Sequence, residues 1–148
     1  MATPRYFQGT TVTGPVHAST ATCFADVVEL LNVCPTLPLT RKAFLAMSEK
    51  ERNTAKQVPF FVPACFQHSP SKRIYDQATH CNLVFLDIDS EKEHRDGKWV
   101  ETGRSPAAPF AKDPELLHEA LRGLNFVAHL TASSTPEKPR MRVIVDAE

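Results

Sequence analysis

The tightest constraint on this chain is the stretch Asn82-Leu83-Val84-Phe85-Leu86-Asp87-Ile88-Asp89, an apolar run that stops in two carboxylates at alternate positions. Side chains of an extended strand alternate between faces, so Asp87 and Asp89 project from the same face at the strand's end, a few ångströms apart. Carboxylates that close repel one another unless a cation or a proton sits between them, and hard oxygen ligands suit magnesium or manganese. The plainer alternative is a strand running into an acidic surface loop, since Ser90, Glu91, Lys92 and Glu93 follow directly.

At 148 residues the chain can bury one sizeable core. That predicts a single domain over 1–148, with a helical and extended N-terminal part (1–55) and a core (56–148). Lys plus Arg and Asp plus Glu number 17 each, so no global field points to nucleic acid. Any nucleotide or nucleic-acid contact must come from a local cluster. No apolar run reaches the roughly 18 residues that span a bilayer, and the N-terminus lacks the charged-then-apolar pattern of a signal peptide. Cys23, Cys34, Cys65 and Cys81 form no C-x-x-C pair, and the six histidines are dispersed, which argues against a zinc site. The expected setting is a reducing cytoplasm with free thiols, Cys34 and Cys65 among the buried ones.

Along the chain, one short strand is expected around Tyr6 to Thr13. Phe24, Val27, Val28 and Leu31 recur at helical spacing and predict a short amphipathic helix ended by Pro35, with Pro35 and Pro38 stiffening the connector. Thr40 is the expected N-cap of a second helix running to about Ala55, with Phe44 and Met47 facing inward. Pro59 and Pro63 demote Val58 to Phe66 to an edge strand. Ser69 to Thr79 reads as a polar loop carrying Lys72 and Arg73, and residues 90–112 as a long polar insertion. Trp99, the only tryptophan, lies in that insertion, where it either anchors the loop to the body or stacks on a base. Asp113-Pro114 is a helix start, Leu116, Leu117, Ala120 and Leu121 the buried stripe, and Gly123 the stop. Asn125 to Thr131 and Met141 to Val145 are two further strands. The whole predicts an α+β fold, a sheet with helices on one face, because each element has a single apolar side to bury.

The second chemical stretch joins those last strands: Thr131-Ala-Ser-Ser-Thr-Pro-Glu-Lys-Pro-Arg-Met-Arg-Val-Ile-Val-Asp146. Small hydroxyl residues at a tight turn, Ser133 and Ser134 among them, are expected to expose backbone amides, and Lys138, Arg140 and Arg142 concentrate positive charge within five residues. Arginine offers bidentate contacts to phosphate and lysine a point charge, so the group suits a triphosphate or a nucleic-acid backbone. Alternation puts Arg140, Arg142 and Asp146 on one face, opposite Val143 and Val145. The plainer alternative is a solvated hairpin. Beside a carboxylate pair on a neighbouring strand, the hairpin makes the two halves that metal-assisted phosphoryl or nucleotidyl transfer requires.

On these residues the chain resembles the catalytic core of the archaeo-eukaryotic primases, the primase–polymerase group common in phages and plasmids. Leu-Asp-Ile-Asp at 86–89 and the 131–145 hairpin carry the resemblance most strongly, and Lys56-Gln-Val-Pro-Phe-Phe-Val-Pro-Ala-Cys-Phe66 with Arg73 is similar to the segment that precedes the aspartates in many members. It covers about residues 56–146. The resemblance implies an RRM-like antiparallel or mixed sheet, and an N-terminal portion of the core that is truncated relative to longer members. It implies Asp87 and Asp89 as ligands of Mg2+ or Mn2+, and Ser133, Ser134, Lys138, Arg140 and Arg142 as nucleotide contacts. One metal would activate a 3′-hydroxyl and a second would neutralise the leaving pyrophosphate. Nucleoside triphosphates and a DNA or RNA template are the implied partners, with a replication helicase or host factor as a protein partner.

Two departures from the family pattern stand out. Ala132 and Ser134 occupy the turn where members often carry histidine, and His129 lies upstream, inside the strand. The second departure is length: family cores carry a third carboxylate on a later strand with further sheet and helix after it, and Asp146 is its candidate here. Two readings therefore stay open: a nucleotidyltransferase of DNA replication, or a catalytically reduced primase-like module that binds nucleic acid or protein. A haloacid-dehalogenase-type phosphatase also places D-x-D at a strand end, but Glu91 stands where its pattern continues and about 80 residues precede the motif. A D-x-D glycosyltransferase would need a sugar-nucleotide domain for which the chain has no room.

Overall fold

The computed structural model describes residues 6–9, 14–33, 39–55, 60–66 and 78–147. Cys34, the Pro35 and Pro38 connector, residues 10–13 and 56–59, and Lys72 and Arg73 lie outside them. The chain is α+β, and its described strands fall into four small sheets. It divides into two compact units, Met1–Val84 with Asp146–Glu148, and Phe85–Val145.

In the first unit, strands β1 (Phe7–Gly9), β2 (Val16–Ala18) and β3 (Phe60–Val62) form an antiparallel sheet in the order β2-β1-β3. Strand β3 lies at the edge, as its flanking prolines require. Phe7, Val16, Val62, Ala64, Cys65 and Phe66 make its core, with the Phe7 and Phe66 rings edge-on at 5.4 Å. Strand β4 (Cys65–Phe66) pairs antiparallel with β5 (Ala78–His80), and the buried Cys65 thiol donates to Asn82 Oδ1 at 2.7 Å.

Helix α1 (Phe24–Asn32) starts where Asp26 turns back to accept the Thr22 and Cys23 amides at 2.7 and 3.2 Å, and it buries Val27. The helix expected from Thr40 to Ala55 is two helices, α2 (Arg41–Ala46) and α3 (Glu49–Ala55). Thr40 caps the first by accepting the Ala43 amide, and Phe44 is its buried residue. Met47 is extended, and Ser48 with Glu51 forms a reciprocal capping box, which starts a new helix instead of continuing the old one.

Strands β6 (Leu83–Ile88), β9 (Phe126–Leu130) and β10 (Met141–Asp146) form the sheet of the second unit in the order β6-β10-β9, with Leu83, Val84 and Asp146 at its ends counted in the first unit. Strands β9 and β10 are antiparallel, Val143 opposite Ala128 and Arg142 opposite His129. One face of β10 packs Met141, Val143 and Val145 with Ile88, Phe126 and Ala128 against Ala107, Phe110, Leu117 and Leu121 of α4 (Ala108–Lys112), α5 (Glu115–Ala120) and their flanks. This is the expected arrangement of helices on one sheet face. Helix α5 begins one residue beyond Pro114, with Asp113 Oδ1 accepting the Glu115 amide at 3.2 Å. In so short a helix only Leu117 and Leu121, four apart, reach the core, and Leu116 is exposed.

Residues 90–112, expected as an irregular insertion, hold α4 and an antiparallel hairpin of β7 (Lys92–Arg95) and β8 (Lys98–Glu101). Asp96 and Gly97 make its two-residue turn with φ of 50° and 77°, the left-handed values of the turn type that matches strand twist. Glu91 and Thr102 close its base, the Thr102 amide donating to Glu91 O at 3.0 Å. Among the described residues no helix is long and apolar enough to cross a membrane.

Val143→Ala removes two methyl groups from a fully buried site and should cost about 2 kcal/mol, transfer and cavity together. Leu116→Ala should cost less than about 0.5 kcal/mol. Urea-denaturation midpoints read both, and equal losses would refute the assignment of Leu116 to the solvent side.

Candidate functional site

Alternation along β10 sends Val143 and Val145 into the core and leaves Arg140 and Arg142 on the opposite face. Strand β6 is its neighbour in the sheet, and its acidic end supplies the partners of both arginines. Arg142 forms a fork on Asp87, Nε donating to Oδ1 at 2.6 Å and Nη2 to Oδ2 at 2.9 Å. Its guanidinium also stands 5.6 Å from the centre of the Phe85 ring, two residues before Asp87 on the same face. Arg140 Nε lies 2.9 Å from Asp89 Oδ1, which also accepts the Ser90 amide at 2.7 Å.

A third carboxylate, which the sequence reading missed, completes the group. Glu101, the last residue of β8, accepts from Arg140 Nη2 at 3.0 Å and from Lys138 Nζ at 3.2 Å. Three anions and three cations are thus linked, Asp87 to Arg142, and Asp89 to Lys138 through Arg140 and Glu101. The strand-face expectation for Asp87, Asp89, Arg140 and Arg142 is met, and Lys138 joins them. The cations expected to wait for phosphate are occupied by the chain's own carboxylates.

The hydroxyl-rich turn is built differently from the expected amide cradle. Ser134 is buried, its hydroxyl accepts the Arg140 amide at 3.1 Å, and its own amide donates to Thr131 O at 3.0 Å. The Thr135 amide donates to Lys138 O and the Lys138 amide donates to Thr135 Oγ1, both at 3.0 Å. Ser133 Oγ lies 3.5 Å from Thr131 Oγ1. Ser105 Oγ donates to Pro139 O in a short bond that ties the turn before α4 to the loop. These bonds set where Lys138 and Arg140 leave the backbone. Asp146 belongs to the other compact unit, and its Oδ1 is buried without a hydrogen-bond partner among the described residues.

Hydrogen bonding from Arg142, and then its charge and that of His129, hold the Asp87 carboxyl below its ordinary value against a smaller opposing effect of burial. Glu101 is lowered by the hydrogen bond and charge of Lys138, then by the charges of Arg140 and Lys92. Among the described residues no three His, Cys, Asp or Glu side chains come together as a metal site. Two carboxylates such as Asp87 and Asp89 hold magnesium only when substrate phosphates and water complete the shell.

The depressed Asp87 value has a definite sign. The Asp87–Arg142 pair contributes to stability above the ordinary carboxylate value of about 3.9 and is lost as pH falls through the lower, folded value. Carboxyl carbon NMR should place the Asp87 midpoint below that of an ordinary aspartate and return it upward in Arg142→Gln. A midpoint indifferent to Arg142→Gln would exclude the guanidinium as the cause. Compared with known proteins, the chain matches no protein-family model, no curated protein and no solved structure, so the functional reading rests on this geometry.

Proposed function

We propose that the chain binds a nucleoside triphosphate together with Mg2+ or Mn2+ at the charged ends of β6 and β10, where Asp87, Asp89, Arg140 and Arg142 stand, and serves there in metal-dependent nucleotidyl transfer of DNA replication as a primase–polymerase-like module. The observation that carries this reading is the pair of exposed, exchangeable arginine–aspartate contacts, Arg142 on Asp87 and Arg140 on Asp89. The β6-β10-β9 sheet with helices on one face is the part of the fold that supports a primase-like core.

Partly exposed ion pairs are worth little, a median near 0–1 kcal/mol, so separating them costs little. A triphosphate carries more charge than one carboxylate and offers arginine the same two-oxygen geometry. On its arrival Arg140, Arg142 and Lys138 turn from carboxylates to phosphates, and Asp87 and Asp89 are left as hard oxygen ligands. A divalent ion bound there with the phosphates would supply charge neutralisation and activation of the attacking hydroxyl. Ser134 acts at one remove, fixing the Arg140 backbone, and Ser133 and Thr135 hold the same turn. A nucleic-acid template and a replication helicase or host factor are the partners this reading calls for.

A second reading is favoured by a specific observation: each site aspartate already has a guanidinium, so the group is charge-balanced with no ion added. In that reading the module binds nucleic acid or protein without turnover. Template-dependent incorporation of labelled nucleotides with Mn2+ separates the two. Asp87→Ala/Asp89→Ala should lower incorporation at least ~100-fold and abolish the Mn2+ binding that calorimetry measures with a nucleoside triphosphate present. Incorporation that survives in the double variant would sink the site assignment. Absent incorporation and absent Mn2+ binding in the wild type would leave the binding module.

A further inference from the structure

Resting on the triphosphate reading above, we infer that the β7–β8 hairpin forms the remaining wall of the nucleotide site: Trp99 is the platform for the base, and Glu101 holds the place of a phosphate on Lys138 and Arg140. The register of the hairpin puts Lys92 opposite Glu101 and His94 opposite Trp99. Directly opposed residues of an antiparallel pair share a face, and so do residues two apart on one strand. Lys92, His94, Trp99 and Glu101 therefore line one face of the ribbon, with Glu93, Arg95, Lys98 and Val100 on the other. The Arg95–Glu93 ion pair lies on that second face.

The face that carries Trp99 is the face that meets the charge group, because Glu101 reaches Lys138 Nζ and Arg140 Nη2 from it. Trp99 is 70 % exposed, which sets aside the body anchor, one of the two readings of it from sequence. Its ring meets the His94 ring edge-on at 5.4 Å and 70°. Residues two apart on a strand are separated by ~6.7 Å, a span that a nucleotide bridges between its base and its phosphate chain. The turn at Asp96-Gly97 and the closure by Glu91 and Thr102 fix the ribbon, so that spacing is set by backbone. Glu101 joins a lysine and an arginine through its two carboxylate oxygens, the arrangement a phosphate oxygen pair would take. Its own charge makes it the group that an incoming phosphate must displace.

Trp99 is the only tryptophan, so its fluorescence reports the platform directly. The probes are MgATP, which has a base, and magnesium tripolyphosphate, which has none. On the wild type MgATP should quench the fluorescence and bind about tenfold more tightly than tripolyphosphate by calorimetry. Trp99→Ala should erase that tenfold advantage while leaving tripolyphosphate affinity unchanged, and Trp99→Phe should keep most of it. Glu101→Gln should tighten both probes severalfold. Tripolyphosphate binding with no advantage for MgATP, no quench and no effect of Glu101→Gln would overturn the hairpin's role while leaving the triphosphate reading intact. If neither probe binds to the wild type or to Glu101→Gln, both fall together.

Discussion

Strand β10 works on both of its faces, and the rest of the second unit depends on that division. Its odd-numbered residues, Met141, Val143 and Val145, are packed under α4 and α5, while Arg140 and Arg142 stand on the other side. A slip of one residue against β9 would turn the Arg142 guanidinium into the core under α4 and α5 in place of Val143 and take it from Asp87. The apolar packing therefore specifies the register, and the register specifies where the charges lie. The site is built by the core, with the Ser134 hydroxyl and the Thr135–Lys138 bonds fixing the turn that brings the strand in.

What the two arginines meet follows from electrostatics. Two aspartates on one face at alternate positions need positive charge nearby, whichever source provides it. Here the neighbouring strand provides it, from 55 residues away in sequence for Arg142 and Asp87. Glu101 then balances the second cation that Lys138 adds beside Arg140. The run Asp89–Arg140–Glu101–Lys138, in which Arg140 and Glu101 each have two partners, holds its side chains in fewer arrangements than separate pairs would, while Asp87 and Arg142 form a pair of their own.

Much of this was legible in the sequence, and the failures have physical causes. The charged ends of β6 and β10 were readable because Asp87 and Asp89, and Arg140 and Arg142, recur at period two where the apolar run begins or stops, although Leu83 and Ile144 on that same face are buried. The β7–β8 hairpin was not, because Lys-Glu-His-Arg and Lys-Trp-Val-Glu have no apolar side at all. Its register comes from the Asp96-Gly97 turn, a dipeptide that by itself signals a hairpin and that lay inside what read as a polar insertion. Glu101 was missed with it, since nothing local marks a carboxylate whose partners are 37 and 39 residues away. The Thr40 helix was overextended for a similar reason: Ser48 and Glu51 match a capping box, a start signal inside a stretch that composition alone allows to remain helical. Leu116 belongs to the apolar stripe by spacing, but α5 has six residues and its side toward the core is filled by Leu117 and Leu121.

The self-paired group also bears on order of events in the proposed reaction. A divalent ion approaching Asp87 and Asp89 first would meet two guanidiniums already there, and would have to expel them into water against like-charge repulsion. An anion approaching first meets no such barrier, because Arg140, Arg142 and Lys138 trade one set of oxygens for another and the aspartates are uncovered as they turn. Phosphate and metal arriving as one complex satisfy both requirements in a single exchange. On the proposed reading the arginines then have two successive roles, holding the carboxylates quiet when the site is empty and holding the phosphates when it is filled. On that reading, a D-x-D pair whose counter-cations come from its own sheet opens to a metal only with its substrate.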